Sequence, residues 1–352
     1  METTHRVHVE DARSLESIAD GSIELVVTSP PYPMIELWDE LFSSLDPAVG
    51  DALAVGDGAD AFERMHAQLD PVWDELGRVL VDGGIACINV GDATRTLDGS
   101  FRVYPNHARI IEAFGARGFE PLPDVLWRKP ANSAAKFMGS GMLPPNAYVT
   151  LEHEYVLVFR NGAKRRSFEP GDPARYASAY FWEERNRWFS DVWTDVRGEL
   201  QQLDGDERRD RSAAYPFEIP YRLCCMFSTY GDTVLDPFWG TGTTTLAAIC
   251  AARNSIGYEL DGSLLDGFIE ELDDVADRSH RIAERRLDRH REFVDAERAT
   301  GGSLAYESVH YEVPVRTKQE RKLRLYEATD VKLETSGVGC SVSVDHVPYD
   351  PA

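Results

Sequence analysis

The segment Thr233-Val-Leu-Asp-Pro-Phe-Trp-Gly-Thr-Gly-Thr-Thr-Thr-Leu-Ala-Ala248 constrains the fold of this 352-residue chain more than any other. An apolar strand ends at Asp236, a turn containing Gly240 and Gly242 follows, and a helix starts at Thr243. Glycine lets the backbone turn sharply and lets a ligand approach where a Cβ would stand. The first N–H groups of the helix then face that ligand without intrahelical partners, which suits an anionic group such as a carboxylate. A second strand over 255–259 ends at Glu259, 23 residues after Asp236. A doubly wound sheet presents an acid there to ribose hydroxyls. A phosphate-binding loop needs a lysine after its glycines, and none follows; a dinucleotide fingerprint needs a third glycine where Thr245 stands. A plain strand-to-helix turn would explain a lone Gly-x-Gly. The two flanking acids favour an adenosine-containing ligand.

The rest of the chain fits an α/β fold with a doubly wound, mostly parallel sheet. Strands are expected over 6–10, 23–28, 85–90, 124–127, 155–160 and 233–236, and helices over 12–19, 61–81, 106–117, 221–228 and 243–253. The helix at 61–81 is expected to stop at Asp82-Gly83-Gly84. A long acidic helix is expected over 263–298, with Leu264, Leu265, Phe268, Ile269, Leu272 and Val275 packed on the sheet. Between 129 and 215 the βαβ rhythm breaks, and 301–352 reads as β-rich or irregular. The rhythm divides the chain into an α/β stretch at 1–160, an irregular segment at 161–214, a second α/β stretch at 215–300 and a C-terminal extension at 301–352.

The second informative element is Val26-Val27-Thr28-Ser29-Pro30-Pro31-Tyr32, at the end of an apolar strand. Two prolines stiffen the backbone and remove two donors, leaving carbonyl oxygens. The Ser29 hydroxyl and Pro30 carbonyl suit hydrogens of an exocyclic amine, and Tyr32 suits stacking on a base taken out of a duplex. The amino nitrogen of cytosine or adenine is a poor nucleophile because its lone pair is delocalised into the ring. Acceptors that hold its hydrogens favour a pyramidal nitrogen able to attack a methyl group in line. A proline-rich turn alone would not require the polar and aromatic flanks.

Together, Ser29-Pro30-Pro31-Tyr32 and the 236–244 loop resemble those of S-adenosyl-L-methionine-dependent amino-group DNA methyltransferases with the β motif order. Segments at 11–15, 73–84, 89–92, 127–130, 153–159 and 215–220 are also similar to that family. The resemblance implies S-adenosyl-L-methionine as cofactor, with Asp236, Phe238, Gly240, Gly242, Thr243 and Thr244 around its methionine part. It implies Glu259 on the ribose, Asp11 near the adenine, and Pro216 and Phe217 flanking the pocket. Ser29, Pro30, Pro31 and Tyr32 would form the catalytic base site, and the resemblance makes 1–160 the catalytic half, 161–214 the target-recognition region and 215–300 the cofactor-binding half. Serine at position 29 leans toward N4-cytosine chemistry, with N6-adenine methylation, RNA methylation and a non-catalytic binder as alternatives. Trp239 is bulkier than the residue often found before that glycine. The stretch 311–320 is similar to CTAG-modifying methylases of archaea.

Double-stranded DNA is the implied partner, at first sight a poor match for 60 acidic against 37 basic residues and a net charge of −23. The imbalance is not uniform. Residues 127–222 hold 15 Lys+Arg and 14 Asp+Glu, leaving 22 against 46 elsewhere. Lys129, Lys136, Arg165, Arg166, Arg185, Arg187, Arg208, Arg209 and Arg211 are the candidate DNA contacts there. The basic side chains number 31 Arg and 6 Lys, a balance expected of a halophilic, salt-loaded cytoplasm. At about 1 M salt the Debye length is only about 3 Å, so distant carboxylates scarcely repel DNA. Five cysteines without CxxC spacing, no secretory pattern and no membrane-length apolar run point to a cytoplasmic protein. Nine histidines form no metal-binding pattern, so no metal is expected. The sequence leaves open a companion restriction endonuclease and the choice between monomer and homodimer.

Overall fold

A computed structural model describes residues 1–129, 138–196 and 215–351. The main-sheet strands are β1 (Glu2–His8), β2 (Ile23–Thr28), β3 (Leu80–Val90), β4 (Phe119–Arg128), β5 (His153–Asn161), β6 (Val192–Trp193), β7 (Thr233–Asp236), β8 (Asn254–Tyr258), β9 (Tyr326–Ser336) and β10 (Gly339–Pro348). They join in the order β6-β4-β5-β3-β2-β7-β8-β1-β10-β9. The five central strands β3, β2, β7, β8 and β1 run parallel; β5 and β10 run antiparallel to their neighbours. The sheet is mixed, with a parallel centre as expected.

Both faces are covered, which is why the central strands are almost continuously apolar. The side-chain period of two sends Leu25, Val27, Cys87, Val156, Val158 and Val234 to one face. There they meet α3 (Glu218–Phe227), α4 (Thr243–Cys250), α5 (Leu264–Leu272) and α6 (Val275–Ala299). Val26, Ala86, Ile88, Leu157, Phe159 and Leu235 face the opposite way, toward α1 (Gly58–Val79) and α2 (Asn106–Ala116).

Three expectations are corrected. Residues 12–19 form turns instead of a helix, because the α1 side chains take the backbone groups a helix would pair internally. Glu75 accepts from Leu15 N–H at 2.8 Å, and Arg78 donates to the carbonyls of Leu15 and Ile18 at 3.0 and 2.9 Å. The helix expected over 263–298 is two helices, interrupted at Asp273 and Asp274. Its apolar residues do pack inward, with Phe268, Leu272 and Val275 buried. The Gly83-Gly84 pair lies within β3, after a helix that already ends at Val79, and Gly83 adopts φ +78°.

The C-terminal extension braces the aromatic part of the insertion. Phe181 packs in a third small core with Leu287, Tyr311, Val313, Val315, Leu323 and Leu325. Buried Glu184 accepts two bonds from Arg286 at 2.6 and 2.8 Å, and Glu320 accepts from Trp182 N–H at 2.8 Å. The segment 316–324 carries five basic side chains and is partly committed to packing: Arg316 pairs with Glu297 and lies over the Trp182 ring. Trp188 and Trp193 are buried, in keeping with a packing role.

Candidate active site

The parallel strands deliver their C-terminal ends to one edge of the sheet. Ser29 follows β2, the glycine loop follows β7, Glu259 follows β8 and Asp11 lies beyond β1. Antiparallel β5 starts at this edge, so Glu154 joins them; its neighbour Tyr155 pairs with Val90 at the end of β3. The two sequence motifs, more than 200 residues apart, meet here.

Their junction is Asp236, which is buried. It accepts from the hydroxyls of Thr28 at 2.6 Å and Thr244 at 2.5 Å, and from Phe238 N–H at 3.1 Å. The Tyr215 hydroxyl completes the cluster against Thr244. Burial pushes the Asp236 carboxyl up to about 6, partly offset by the threonine hydroxyls. Strand β2 and the glycine loop are therefore clamped by a single side chain.

In that loop Gly240 has φ +57° and Gly242 φ +79°, both left-handed. A Cβ on Gly240 would project into open space, its nearest neighbour 3.9 Å away, so this face is clear for a ligand. A Cβ on Gly242 would instead strike Phe268 at 2.6 Å and Trp239 at 2.7 Å. Trp239 is accommodated because it turns inward: its indole N–H donates to Thr245 at 2.9 Å, and the side chain covers Gly257. Thr243 opens α4 without a side-chain cap, leaving the helix start able to receive a carboxylate. Glu259 accepts from Gly240 N–H at 2.8 Å and Asp261 N–H at 2.9 Å, while burial raises its carboxyl above the ordinary range. Asp11 holds Arg13 through its side chain at 2.6 Å, and both are partly exposed. Phe238 sits edge-on to Trp73 at 5.9 Å; Pro216 and Phe217 are half-buried, with Phe217 stacked on Tyr221 at 5.7 Å. An open glycine face, an uncapped helix start and carboxylates on adjacent strand ends fit an amino-acid-bearing nucleoside.

At the tetrapeptide, Pro30 and Pro31 are buried while Ser29 and Tyr32 are half-buried. The Tyr32 hydroxyl donates to Glu154 Oε2 at 3.0 Å, accepts from Asn89 Nδ2 at 2.8 Å and lies 3.0 Å from Ser29 Oγ. Sequence reasoning assigned no role to Glu154, Asn89, Thr28 or Tyr215. The available signal was a polar residue interrupting or ending an apolar strand, as Asn89 does in Ile-Ala-Cys-Ile-Asn-Val.

The candidate DNA contacts separate. Lys129 donates to Glu154 Oε1 at 2.7 Å, which places it at the tetrapeptide. Arg185 is exposed beside Phe189, whereas Arg187 is half-buried, 3.8 Å from Asp195. Arg165 is exposed, but Arg166 pairs with Asp232 at 2.7 and 3.0 Å, ahead of β7 and so at the other end of the sheet. Glu24 accepts from Thr233 N–H at 2.8 Å beside this pair, and at about 3.3 Å per residue the five steps from Glu24 to Ser29 put this end about 17 Å from the tetrapeptide. Arg166 is thus committed to a structural ion pair. Arg166→Met is expected to lower stability by about 1–2 kcal/mol, measured by denaturant melts, while duplex-DNA affinity stays within about twofold. A tenfold loss of affinity with unchanged stability would return Arg166 to the DNA interface. Lys136, Arg208, Arg209 and Arg211 lie outside the described residues.

With this geometry in place, comparison with known proteins identifies the family. The family model described as DNA methylase, of the N6/N4 methyltransferases, matches residues 23–270. The chain belongs to the DNA methylase family. It is similar to the Type II methyltransferase M.MthZI of Methanothermobacter thermautotrophicus, with 50% identity over 93% of this chain and 91% of the relative. M.MjaI of Methanocaldococcus jannaschii, also named a Type II methyltransferase, is 55% identical over 74% of this chain and 89% of its own length. A Thermus thermophilus protein named as a putative DNA modification methylase, solved with S-adenosyl-L-methionine, superposes with a TM-score of 0.59 and 32% identity. That match covers 79% of this chain and 93% of that one. The cytosine-N4-specific PvuII DNA methyltransferase, 17% identical over 79% of this chain and 93% of its own, shares the fold with a TM-score of 0.52. This DNA methylase is an S-adenosyl-L-methionine-dependent enzyme of the N6/N4 class. No helix among its described residues is long and apolar enough to cross a membrane.

Proposed function

We propose that this DNA methylase transfers a methyl group to the exocyclic N4 of a cytosine flipped out of duplex DNA. The observation that carries the reading is the serine at position 29, hydrogen-bonded within the tetrapeptide and joined through Thr28 and Asp236 to the glycine loop. Bound S-adenosyl-L-methionine supplies an electrophilic methyl group. In the proposed site Glu259 holds the ribose hydroxyls, Asp11 approaches the adenine, and Pro216 and Phe217 flank the pocket. Gly240, Gly242, Thr243 and Thr244 receive the methionine part beside Asp236 and Phe238. Ser29 Oγ and the Pro30 carbonyl accept the two hydrogens of the target amine, and the Tyr32 ring stacks on the base. Lys129 and Arg185 are the described cations proposed to meet DNA; Arg165, exposed beside Arg166 at the far end of the sheet, is not among them.

The names of the archaeal relatives support a Type II modification role, in which a partner endonuclease would share the recognition site. The sequence resemblance makes CTAG the first site to test. The acidic, arginine-rich composition supports a halophilic cytoplasm as the working environment.

Nucleoside mass spectrometry of duplex DNA modified by the purified enzyme, from about 50 mM to about 1 M KCl, tests the chemistry and the salt range together. N4-methylcytosine, confined to a CTAG-containing duplex and persisting at high salt, is the expected product. N6-methyladenine alone would overturn the cytosine assignment; activity confined to low salt would overturn the halophilic one.

A further inference from the structure

We propose that Glu154 is a positioning residue that fixes which way the Ser29 hydroxyl points, and so makes Ser29 an acceptor for the target amine. The inference rests on the proposed role of Ser29 and follows from counting hydrogens.

Ionised Glu154 carries acceptors only. Its Oε2 receives the Tyr32 hydroxyl at 3.0 Å and Asn89 Nδ2 at 2.8 Å; its Oε1 receives Lys129 Nζ at 2.7 Å. The carboxylate also fixes the Asn89 amide, because turning its oxygen toward Glu154 would oppose two acceptors at that distance. Tyr32 has one hydrogen, and Glu154 takes it. Burial, reinforced by the Glu154 charge, raises the Tyr32 phenol well above its ordinary range, so that hydrogen stays. The phenol oxygen can then only accept from its other partners, Asn89 at 2.8 Å and Ser29 at 3.0 Å. Ser29 must donate, and both lone pairs on its Oγ are left for the incoming amine.

A serine needs this control where a carboxylate would not. A carboxylate accepts from any direction, but a hydroxyl rotor can turn its own hydrogen toward the amine and repel it. Without an acceptor at position 154, the Tyr32 hydrogen would turn to Ser29 and occupy a lone pair. The packing enforces the arrangement: a Cβ on Gly91 would lie 3.2 Å from the Tyr32 ring and 3.3 Å from Glu154 Cγ, so glycine leaves room for their contact. Glu154 itself is 8% exposed.

The test uses single-turnover methyl transfer by the full-length enzyme on target duplex, with cofactor affinity measured by calorimetry. Glu154→Leu, which cannot accept, is expected to slow transfer about 30-fold with cofactor affinity unchanged. Glu154→Gln, which still offers a carbonyl oxygen to Tyr32 and Asn89, should restore the rate to within about fivefold of the parent. In a Tyr32→Phe background, itself about tenfold slow, Glu154→Leu should have no further effect, since the hydroxyl that connects the two is gone. A leucine variant within about threefold of the parent, a glutamine variant as slow as leucine, or an undiminished leucine effect in the phenylalanine background would each overturn the inference. If Glu154→Leu failed to fold, Tyr32→Phe would carry the test, and a rate within about threefold of the parent would overturn it. Ser29→Ala separates the two readings. If that variant keeps the parental rate, the role of Ser29 itself has failed, whatever Glu154 does.

Discussion

Replacing Ser29 by alanine is expected to slow methyl transfer by about 10² to 10³ while leaving cofactor affinity within about twofold. The substitution removes one oxygen at the end of β2 and leaves the rigid Pro30-Pro31 backbone in place. An amine hydrogen that enters this half-buried site then has no side-chain acceptor, and its nitrogen remains conjugated with the ring. Pre-placed groups that stabilise a transition state commonly contribute on this scale, because they need no reorganisation during the reaction. The glycine loop and Glu259 are untouched, so binding and chemistry should separate. Rapid-quench measurement of a single turnover, beside calorimetric titration of the cofactor, checks both. A fall in cofactor affinity that accounts for the whole rate loss would place Ser29 in the cofactor site instead.

Asp236→Asn should stabilise the fold at neutral pH relative to the parent and weaken cofactor binding at least tenfold. The carboxyl is raised from its ordinary 3.8 to about 6, chiefly by burial. The folded state therefore holds the proton more tightly than the unfolded chain. Stability from the protonated form is fully present below about pH 4 and lost as pH rises through about 6. The interval between 3.8 and about 6 corresponds to about 3 kcal/mol. Asparagine has no such titration, so the stability of the parent relative to the variant should decline by that order between pH 4 and pH 7. Urea melts of both proteins across this range measure it, and a difference independent of pH would contradict the assignment. The carboxylate is costly to the fold, but it ties Thr28 to Thr244 and so sets the tetrapeptide against the glycine loop.

The parts of this protein legible in its sequence share a physical cause. The ends of strands β2 and β7 are legible because apolar runs buried on both faces stop abruptly at a polar residue, Thr28 or Asp236. The glycine loop is legible because only glycine adopts its φ without strain. Residues 12–19 mislead because their amphipathic spacing competes with partners 60 residues away, Glu75 and Arg78. Arg166 joins the expected DNA contacts because composition counts charges without locating them. Its ion pair with Asp232 depends on which end of the sheet the 164–166 segment crosses.

Local chemistry by itself determined the fold class, the turn of the glycine loop and the stiffness of the Ser29–Tyr32 tetrapeptide, because glycine torsions, proline stiffness and strand burial act within a few bonds. Tertiary structure alone decided that Asp236 clamps the two motifs together, that Glu154 reaches Tyr32 from an antiparallel strand, and that Trp239 turns into the core. Those outcomes depend on strand order. Hydrogen bonds and buried charges act over about 3 Å in space, and nothing in the chain's local pattern states which distant strand will stand at that distance.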